Sequence, residues 1–394
     1  MSVAYLIFGA TTYLLHDYTN GFPRSVWILG WIFSVAIAEG LRMWNKIWKR
    51  TIWLESKSTG RPRTASLKNI LVIGGAGYLG SVLVRKLLSR GYRVTVMDAL
   101  MYGDDSIRDL YGHSRFDLIR GDIRNVETVI RSLQYVDAVV HLGGLVGDPA
   151  CDLDEKLTLE VNLAANYLVA EAARGLGVQR LVFASTCSVY GGANQTMDER
   201  SPLNPASLYS RTKMDSETAL LRLADRDGFE PVILRLATLF GLSPRLRFDL
   251  VVNVLLAKAI TEGIITIHGG DQWRPFVHVD DAAEAVIKAL APTEVVAGEV
   301  FNVGADSLNH TISEVAELVQ KLVPEAAVVR EERADSGANY RVSLAKIRSQ
   351  LGFEPARSVS DGIREIKGVF EKGTIPDYLE AQYSNHKAMA RNHT

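Results

Sequence analysis

A short apolar run, Asn69-Ile70-Leu71-Val72-Ile73, breaks straight into Gly74-Gly75-Ala76-Gly77-Tyr78-Leu79-Gly80. Few folds accept that order. A continuous apolar run of this length reads as a strand buried on both faces. Glycines at 74, 77 and 80 then suit a tight turn, a close backbone approach to a pyrophosphate, and a helix packed hard on the strand. An apolar-periodic helix over about 79–89 offers its N-terminus, with free N–H donors and a favourable dipole. A second strand over 93–97 ends at Asp98, eighteen residues after Gly80. A carboxylate there accepts hydrogen bonds from both adenosine ribose hydroxyls and repels a 2′-phosphate, which favours NAD over NADP.

Further strands recur at α/β spacing over 116–120, 138–142, 180–185 and 231–236. Helical periodicity lies between them, clearest over 159–175. The alternation predicts an α/β fold: a Rossmann-type doubly wound parallel sheet with right-handed crossovers. Ligands in such sheets sit beyond the carboxyl ends of the strands, the rim that carries the glycine turn, Asp98, Asp122, Gly143 and Thr186. We expect this domain over 69–375, with a smaller substrate lobe drawn mainly from 191–208, 240–275 and 325–375. Residues 376–394 read as a tail whose polar end frays.

Tyr209-Ser210-Arg211-Thr212-Lys213 opens a helix expected over about 209–226. Spacing of i and i+4 puts the phenol and the ammonium on one helix face. A free phenol has a pKa of about 10. Positive charge from Lys213 and an oxidised nicotinamide would bring it towards service as a base near neutrality. Upstream, Ser185-Thr186-Cys187-Ser188 ends a strand with hydroxyls at the rim, one of which can hold the substrate hydroxyl that loses its proton. The two cysteines, Cys151 and Cys187, exclude a disulfide framework and a four-Cys zinc site. No histidine lies near Cys187 in sequence, which argues against a nucleophilic thiol. His141, His268 and His278 have structural roles in this reading, and their spacing predicts no metal site.

The N-terminal sixth is a different material. Residues 1–68 carry nine Lys/Arg against Asp17, Glu39 and Glu55, and five of the six tryptophans. Two apolar runs, 3–15 and 26–44, flank the turn-forming Thr19-Asn20-Gly21-Phe22-Pro23. We read 1–54 as a helical membrane hairpin and the polar 55–68 as a linker. The basic residues follow the second run, so the positive-inside rule expects the catalytic domain in the cytoplasm, beside anionic lipid. Membrane lipid is thus an expected partner. Over the whole chain the charges nearly cancel, at −1, and no nucleic-acid partner is expected.

Taken together, residues 70–370 resemble the extended short-chain dehydrogenase/reductase family, in its nucleotide-sugar epimerase/dehydratase group. The resemblance implies that Gly74, Gly77 and Gly80 hold the pyrophosphate of NAD, with Tyr78 and Leu79 beside them and Asp98 on the ribose. It sets Asp122 and Ile123 around the adenine, and Leu142, Gly143 and Lys213 along the cofactor. Asn162 would support the helix bearing the active site, and Thr186, Tyr209 and Lys213 would form the catalytic triad. Arg274, in Arg274-Pro275-Phe276-Val277-His278-Val279-Asp280-Asp281, resembles the family's arginine on the sugar-nucleotide diphosphate. Arg333, seven residues before Tyr340, stands where a second phosphate arginine is usual, and Asn253 looks like a substrate contact. A homodimer is implied as well.

Three departures sharpen the expectation. His141-Leu142-Gly143-Gly144 has glycines where alanines are commoner, and Leu236-Ala237-Thr238 replaces a Tyr-Phe-Asn type of sequence near the nicotinamide. Cys187 and Ser188 stand where the sugar 4,6-dehydratases carry Asp and Glu, so that β-elimination is disfavoured. The expected activity is C4 epimerisation of a nucleotide-linked hexose through a transient 4-keto sugar. The alternatives are a net dehydrogenase or ketoreductase of the same fold, and a membrane-tethered binding protein without turnover, against which the Tyr209/Lys213 pair argues.

Overall fold

Alternate residues of β1 (Asn69–Ile73) bury on opposite faces, Ile70 and Val72 in one apolar cluster and Leu71 and Ile73 in another. That is why the run is apolar throughout rather than alternating. The computed structural model describes residues 39, 40, 43, 67–192, 195–224, 228–291, 296–331 and 339–392. The chain divides into two compact units, Met1–Gly60 and Arg61–Thr394. Nearly all of the expected hairpin and linker lies outside the described residues. Among those described, no helix is long and apolar enough to cross a membrane.

In the second unit, β1 pairs in parallel with β2 (Arg93–Asp98) on one side and β4 (Ala138–His141) on the other. The sheet extends outward through β3 (Phe116–Arg120) beyond β2, and through β5 (Arg180–Thr186), β7 (Glu230–Leu236) and β11 (Val300–Val303) beyond β4. Its order is β3-β2-β1-β4-β5-β7-β11, all parallel. The chain reverses its direction of growth between β1 and β4, which opens a crevice there above the strand ends. The sequence predicts six of these strands. The seventh escapes it because β11 is four residues long and includes a fully buried amide, Asn302.

Helix α1 (Tyr78–Ser89) buries Leu79, Leu83, Val84, Leu87 and Leu88 against the sheet. Helices α2 (Val126–Leu133) and α3 (Ala165–Gly175) cover the opposite face with Val129, Leu133, Val169 and Ala173. The turn before α3, Glu160–Ala164, is a π-helical segment rather than part of one regular helix over 159–175. Helix α4 (Leu208–Leu223) starts at Ser207, whose side chain accepts from Ser210 N while Ser210 Oγ accepts from Ser207 N. Such a reciprocal cap fixes the first turn, and Tyr209 lies in it.

The substrate lobe interleaves with the sheet. It pairs β6 (Thr196–Met197) with β14 (Arg341–Val342), and β8 (Thr238–Phe240) with β10 (Trp273–His278) and β12 (Asn309–Thr311). A further pair joins β9 (Ile264–His268) to β13 (Ala327–Glu331). Helices α5 (Val251–Thr261), α6 (Val279–Ala289), α7 (Ile312–Leu322), α8 (Ala345–Leu351) and α9 (Val359–Glu371) complete it. Beyond α9 the expected fraying is not found over 376–392. Tyr378 and Met389 are buried, Tyr383 packs edge-on to Phe248, and α10 (Asn385–Asn392) forms a last helix. The polar composition of this stretch hides a few apolar anchors.

Candidate active site

The glycine turn works by close approach. Gly74 takes φ +80°, and a Cβ there would lie 2.7 Å from Gly143 N. A Cβ at Gly80 would collide with the Gly74 carbonyl oxygen. Both positions therefore hold β1, α1 and the β4 exit together and leave the backbone bare at the start of α1. Asp98 closes the other side. Its Oδ2 accepts from Ala76 N at 2.9 Å and its Oδ1 from Leu100 N at 2.8 Å. Each oxygen keeps a second lone pair for a ribose hydroxyl. Burial raises the Asp98 pKa against the pull of those two donors.

A single cleft of about 540 Å³ runs from this point over the strand ends. Gly74, Gly77, Tyr78, Leu79, Gly80 and Asp98 line it at one end, with Asp122 and Ile123 beside them. Leu142, Gly143, Thr186, Tyr209 and Lys213 line the other. Asp122 also forks onto Arg124, at 2.7 Å from Nη2. Leu236, Ala237 and Thr238 reach the same cleft.

Asn162 supports the site from beneath. Its amide takes both backbone groups of Leu145, each at 2.8 Å, and its carbonyl accepts from Ser216 Oγ on α4 at 2.8 Å. Lys213, also on α4, donates to Ala184 O at 2.9 Å, and its ammonium lies 6.0 Å from the centre of the Tyr209 ring. Burial lowers the Lys213 pKa to about 8. Burial also pushes the Tyr209 phenol above its ordinary range, and Arg247 and Thr186 pull it back only in part. The protein alone therefore keeps the phenol protonated at neutral pH, and a cation added to the cleft would shift it towards phenolate. The Thr186 hydroxyl sits 2.9 Å from Ser188 Oγ and accepts from Ser188 N at 3.1 Å.

Cys187 and Ser188 diverge. Ser188 lines the cleft, whereas Cys187 is buried with its thiol on Arg235 O at 3.1 Å, and burial raises its pKa. His141 is fully buried and its pKa falls to about 3, through burial and then the Lys213 charge. His278 lies 2.9 Å from Glu365 and caps α6. Among the described residues, no group of three His, Cys, Asp or Glu could hold a metal ion.

Two sequence expectations change. Asn253 does not reach the cleft: it is fully buried, donating to Arg247 O at 2.9 Å and accepting from Gly241 N at 3.2 Å. A buried amide that satisfies backbone looks in sequence like one that meets a ligand. Arg274 lines a neighbouring cavity of about 370 Å³, which shares Thr238, Asp249 and Leu250 with the main cleft. Its guanidinium lies 5.6 Å from the Tyr340 ring centre. Arg333 falls outside the described residues.

Sequence reasoning missed Tyr102, Arg245 and Asn385, which all line the main cleft. Arg247, on the same segment as Arg245, forks onto Asp249 at 2.8 and 3.1 Å. Asn385 N donates to Asp249 at 2.9 Å, and its side chain donates to Val146 O at 3.2 Å. Asn385 thus brings the C-terminal stretch to the wall of the cleft. The signal available in sequence was the closely spaced Ser243-Pro244-Arg245-Leu246-Arg247-Phe248-Asp249, which no amphipathic pattern explains. The bare glycine turn, the acceptor at Asp98 and the length of the cleft fit a dinucleotide with an unphosphorylated adenosine ribose.

Comparison with known proteins agrees. Residues 70–304 match the model of the NAD dependent epimerase/dehydratase family. UDP-glucose 4-epimerase of Corynebacterium glutamicum is 29% identical over 305 residues, spanning 73% of this chain and 90% of that protein. UDP-glucuronic acid decarboxylase 1 of Danio rerio is 28% identical over 315 residues, spanning 77% and 73%. The solved UDP-glucuronic acid 4-epimerase of Bacillus cereus, with UDP-glucuronic acid and NAD, superposes with a TM-score of 0.69 at 26% identity, covering 77% of this chain and 99% of that one.

Proposed function

Because the chain belongs to the NAD-dependent epimerase/dehydratase family, we propose an activity within it: epimerisation of a nucleotide-linked hexose at C4 through a transient 4-keto sugar. The observation that carries this reading is a bare oxidation–reduction set. Tyr209, Thr186 and Lys213 meet at one end of the cleft. The two positions after Thr186 carry no carboxyl group: the Cys187 thiol is buried on Arg235 O and the Ser188 hydroxyl is tied to Thr186.

Tyr209 takes the proton from the sugar 4-hydroxyl, and Thr186 holds that oxygen. NAD in the cleft would supply the hydride acceptor and donor. Lys213 would hold the nicotinamide ribose and favour the phenolate. Arg274, in the adjoining cavity that shares Thr238, Asp249 and Leu250 with the main cleft, holds the nucleotide diphosphate from there by charge-assisted hydrogen bonds while the sugar turns its other face. The Arg247 fork is already engaged by Asp249, which favours a neutral hexose over one with a free carboxylate.

The test is to incubate the NAD-loaded protein with UDP-glucose, UDP-galactose and UDP-glucuronic acid, adding no cofactor, and follow the sugars by proton NMR. Interconversion of C4 epimers without net NADH is expected. Stoichiometric NADH with an oxidised sugar would mean a dehydrogenase, and release of carbon dioxide from the uronic acid a decarboxylase; either overturns the proposal.

The basic, tryptophan-rich first unit supports a second proposal, that 1–54 anchor the chain to a membrane with the catalytic unit on the cytoplasmic face. The full chain should then stay with cell membranes through an alkaline carbonate wash, and a chain begun at 67 should not. Equal partition of the two would remove the anchor.

A further inference from the structure

Arg245 is a cation without an anion. The residue is 8% exposed, and its Nε and Nη2 have no hydrogen-bond partner among the described residues. Its guanidinium carbon lies 3.8 Å from the centre of the Tyr102 ring, and the residue lines the main cleft together with Asp98 and the glycine turn. Stacking on an aromatic face fixes the plane of the guanidinium but leaves its N–H fork available.

The segment that carries Arg245 is fastened to the first turn of α1. Ser243 Oγ donates to Tyr78 O at 2.7 Å and lies 3.1 Å from Ser81 Oγ. Tyr78 OH donates to Gly241 O at 2.6 Å, and Arg245 N donates to Ser243 Oγ at 3.3 Å. Arg245 therefore stands two residues from a direct tie to the helix whose N-terminus receives a pyrophosphate in this fold.

We propose that Arg245, stacked on Tyr102, is a diphosphate clamp for the bound dinucleotide, reaching from the substrate lobe to the side of the pyrophosphate opposite the glycine turn. The backbone N–H groups of α1 bind one side of the pyrophosphate and the guanidinium the other. The clamp joins cofactor retention to the position of the 241–247 segment, which also carries Arg247 towards the sugar end. Burial holds the unpaired guanidinium at a pKa of about 10, and a diphosphate would relieve that cost.

Calorimetric binding to the full chain stripped of cofactor tests this without reference to turnover. NAD+, ADP-ribose, adenosine and UDP are titrated into the native protein, Arg245→Met and Arg245→Lys. Arg245→Met should weaken NAD+ and ADP-ribose about 10- to 100-fold, as for the loss of charge-assisted hydrogen bonds. Adenosine and UDP should change less than about twofold, and Arg245→Lys should recover part of the loss. Unchanged NAD+ affinity would overturn the clamp. So would a loss for UDP alone, which would assign Arg245 to the substrate's diphosphate. Equal losses for adenosine and ADP-ribose would overturn it too, because they would mark a damaged cleft rather than a missing phosphate contact.

Discussion

Lys213 is buried and Tyr209 half-buried beside it, and desolvation drives their pKa values apart, each towards its neutral form: the phenol up, the ammonium down to about 8. Two outcomes follow from that geometry. Tyr209→Phe should lower turnover by about 10²- to 10⁴-fold, the range for a general base, while NAD affinity and melting temperature hold. The ultraviolet phenolate signal missing in that variant should titrate lower in the NAD-loaded native protein than in the stripped one, by about 1–3 pH units. An equal midpoint in both would mean that the nicotinamide charge does not reach the phenol.

Lys213 makes a stability prediction as well. Its pKa falls on folding from about 10.4, so the unfolded chain binds more protons between there and about 8, and stability rises with pH across that window. Below pH 8 or so the full cost of a buried charge is present. In stripped protein, Lys213→Met should therefore melt higher than the native chain at pH 7, and the gap should close as the pH rises towards 10. Side chains of this kind are legible in sequence because their register is local: i and i+4 on a helix, or a strand end followed by a turn. Arg245 and Tyr102 are not. They meet across 143 positions through a serine tie that leaves no periodic trace.

At the scale of elements, α4 inverts the usual pattern. Its inward face carries Lys213, Ser216 and Glu217, where an ordinary surface helix would bury apolar groups. Glu217 pairs with Arg235 of β7 at 2.7 Å, and Ser185 Oγ donates to the same carboxylate. Arg235 Nη1 donates to Tyr190 OH at 2.9 Å, and Tyr190 donates in turn to Asn302 of β11 at 2.8 Å. One polar network therefore pins α4, the end of β5 beside Thr186 and the outer strands. Removing one partner strands a buried charge. Glu217→Gln or Arg235→Met should lower unfolding free energy by about 3–5 kcal/mol, read from denaturant midpoints. The double change to Leu at both positions should cost less than either single change. Equal or larger loss in the double would assign the stability to the network's shape rather than to charge pairing. The buried Asn302 at its far end is also what kept β11 from reading as a strand: a polar residue in a four-residue run breaks the apolar signature even when its partners lie indoors.

Across the whole second unit, the cleft is lined by stretches far apart in sequence, among them the glycine turn, the 143–148 loop, the 245–250 segment and, from the C-terminal stretch, Asn385. The first two follow from strand and helix alternation and were readable. The last was not, because its hold rests on Tyr383 against Phe248, Met389 beside Leu145 and Cys151, and a single asparagine. Isolated anchors in a polar stretch look like a loose end. The joint before this wall is open to solvent: Lys372, Gly373 and Thr374 are exposed. Trypsin cutting after Lys372 should thus release the wall while every reacting group stays where it was. The nicked protein should keep its cofactor and lose turnover by more than about tenfold, since about 1.4 kcal/mol of lost transition-state binding suffices, and saturating UDP-sugar should slow the cut. A cut at this joint would then act at a distance, on a wall held by a few scattered anchors.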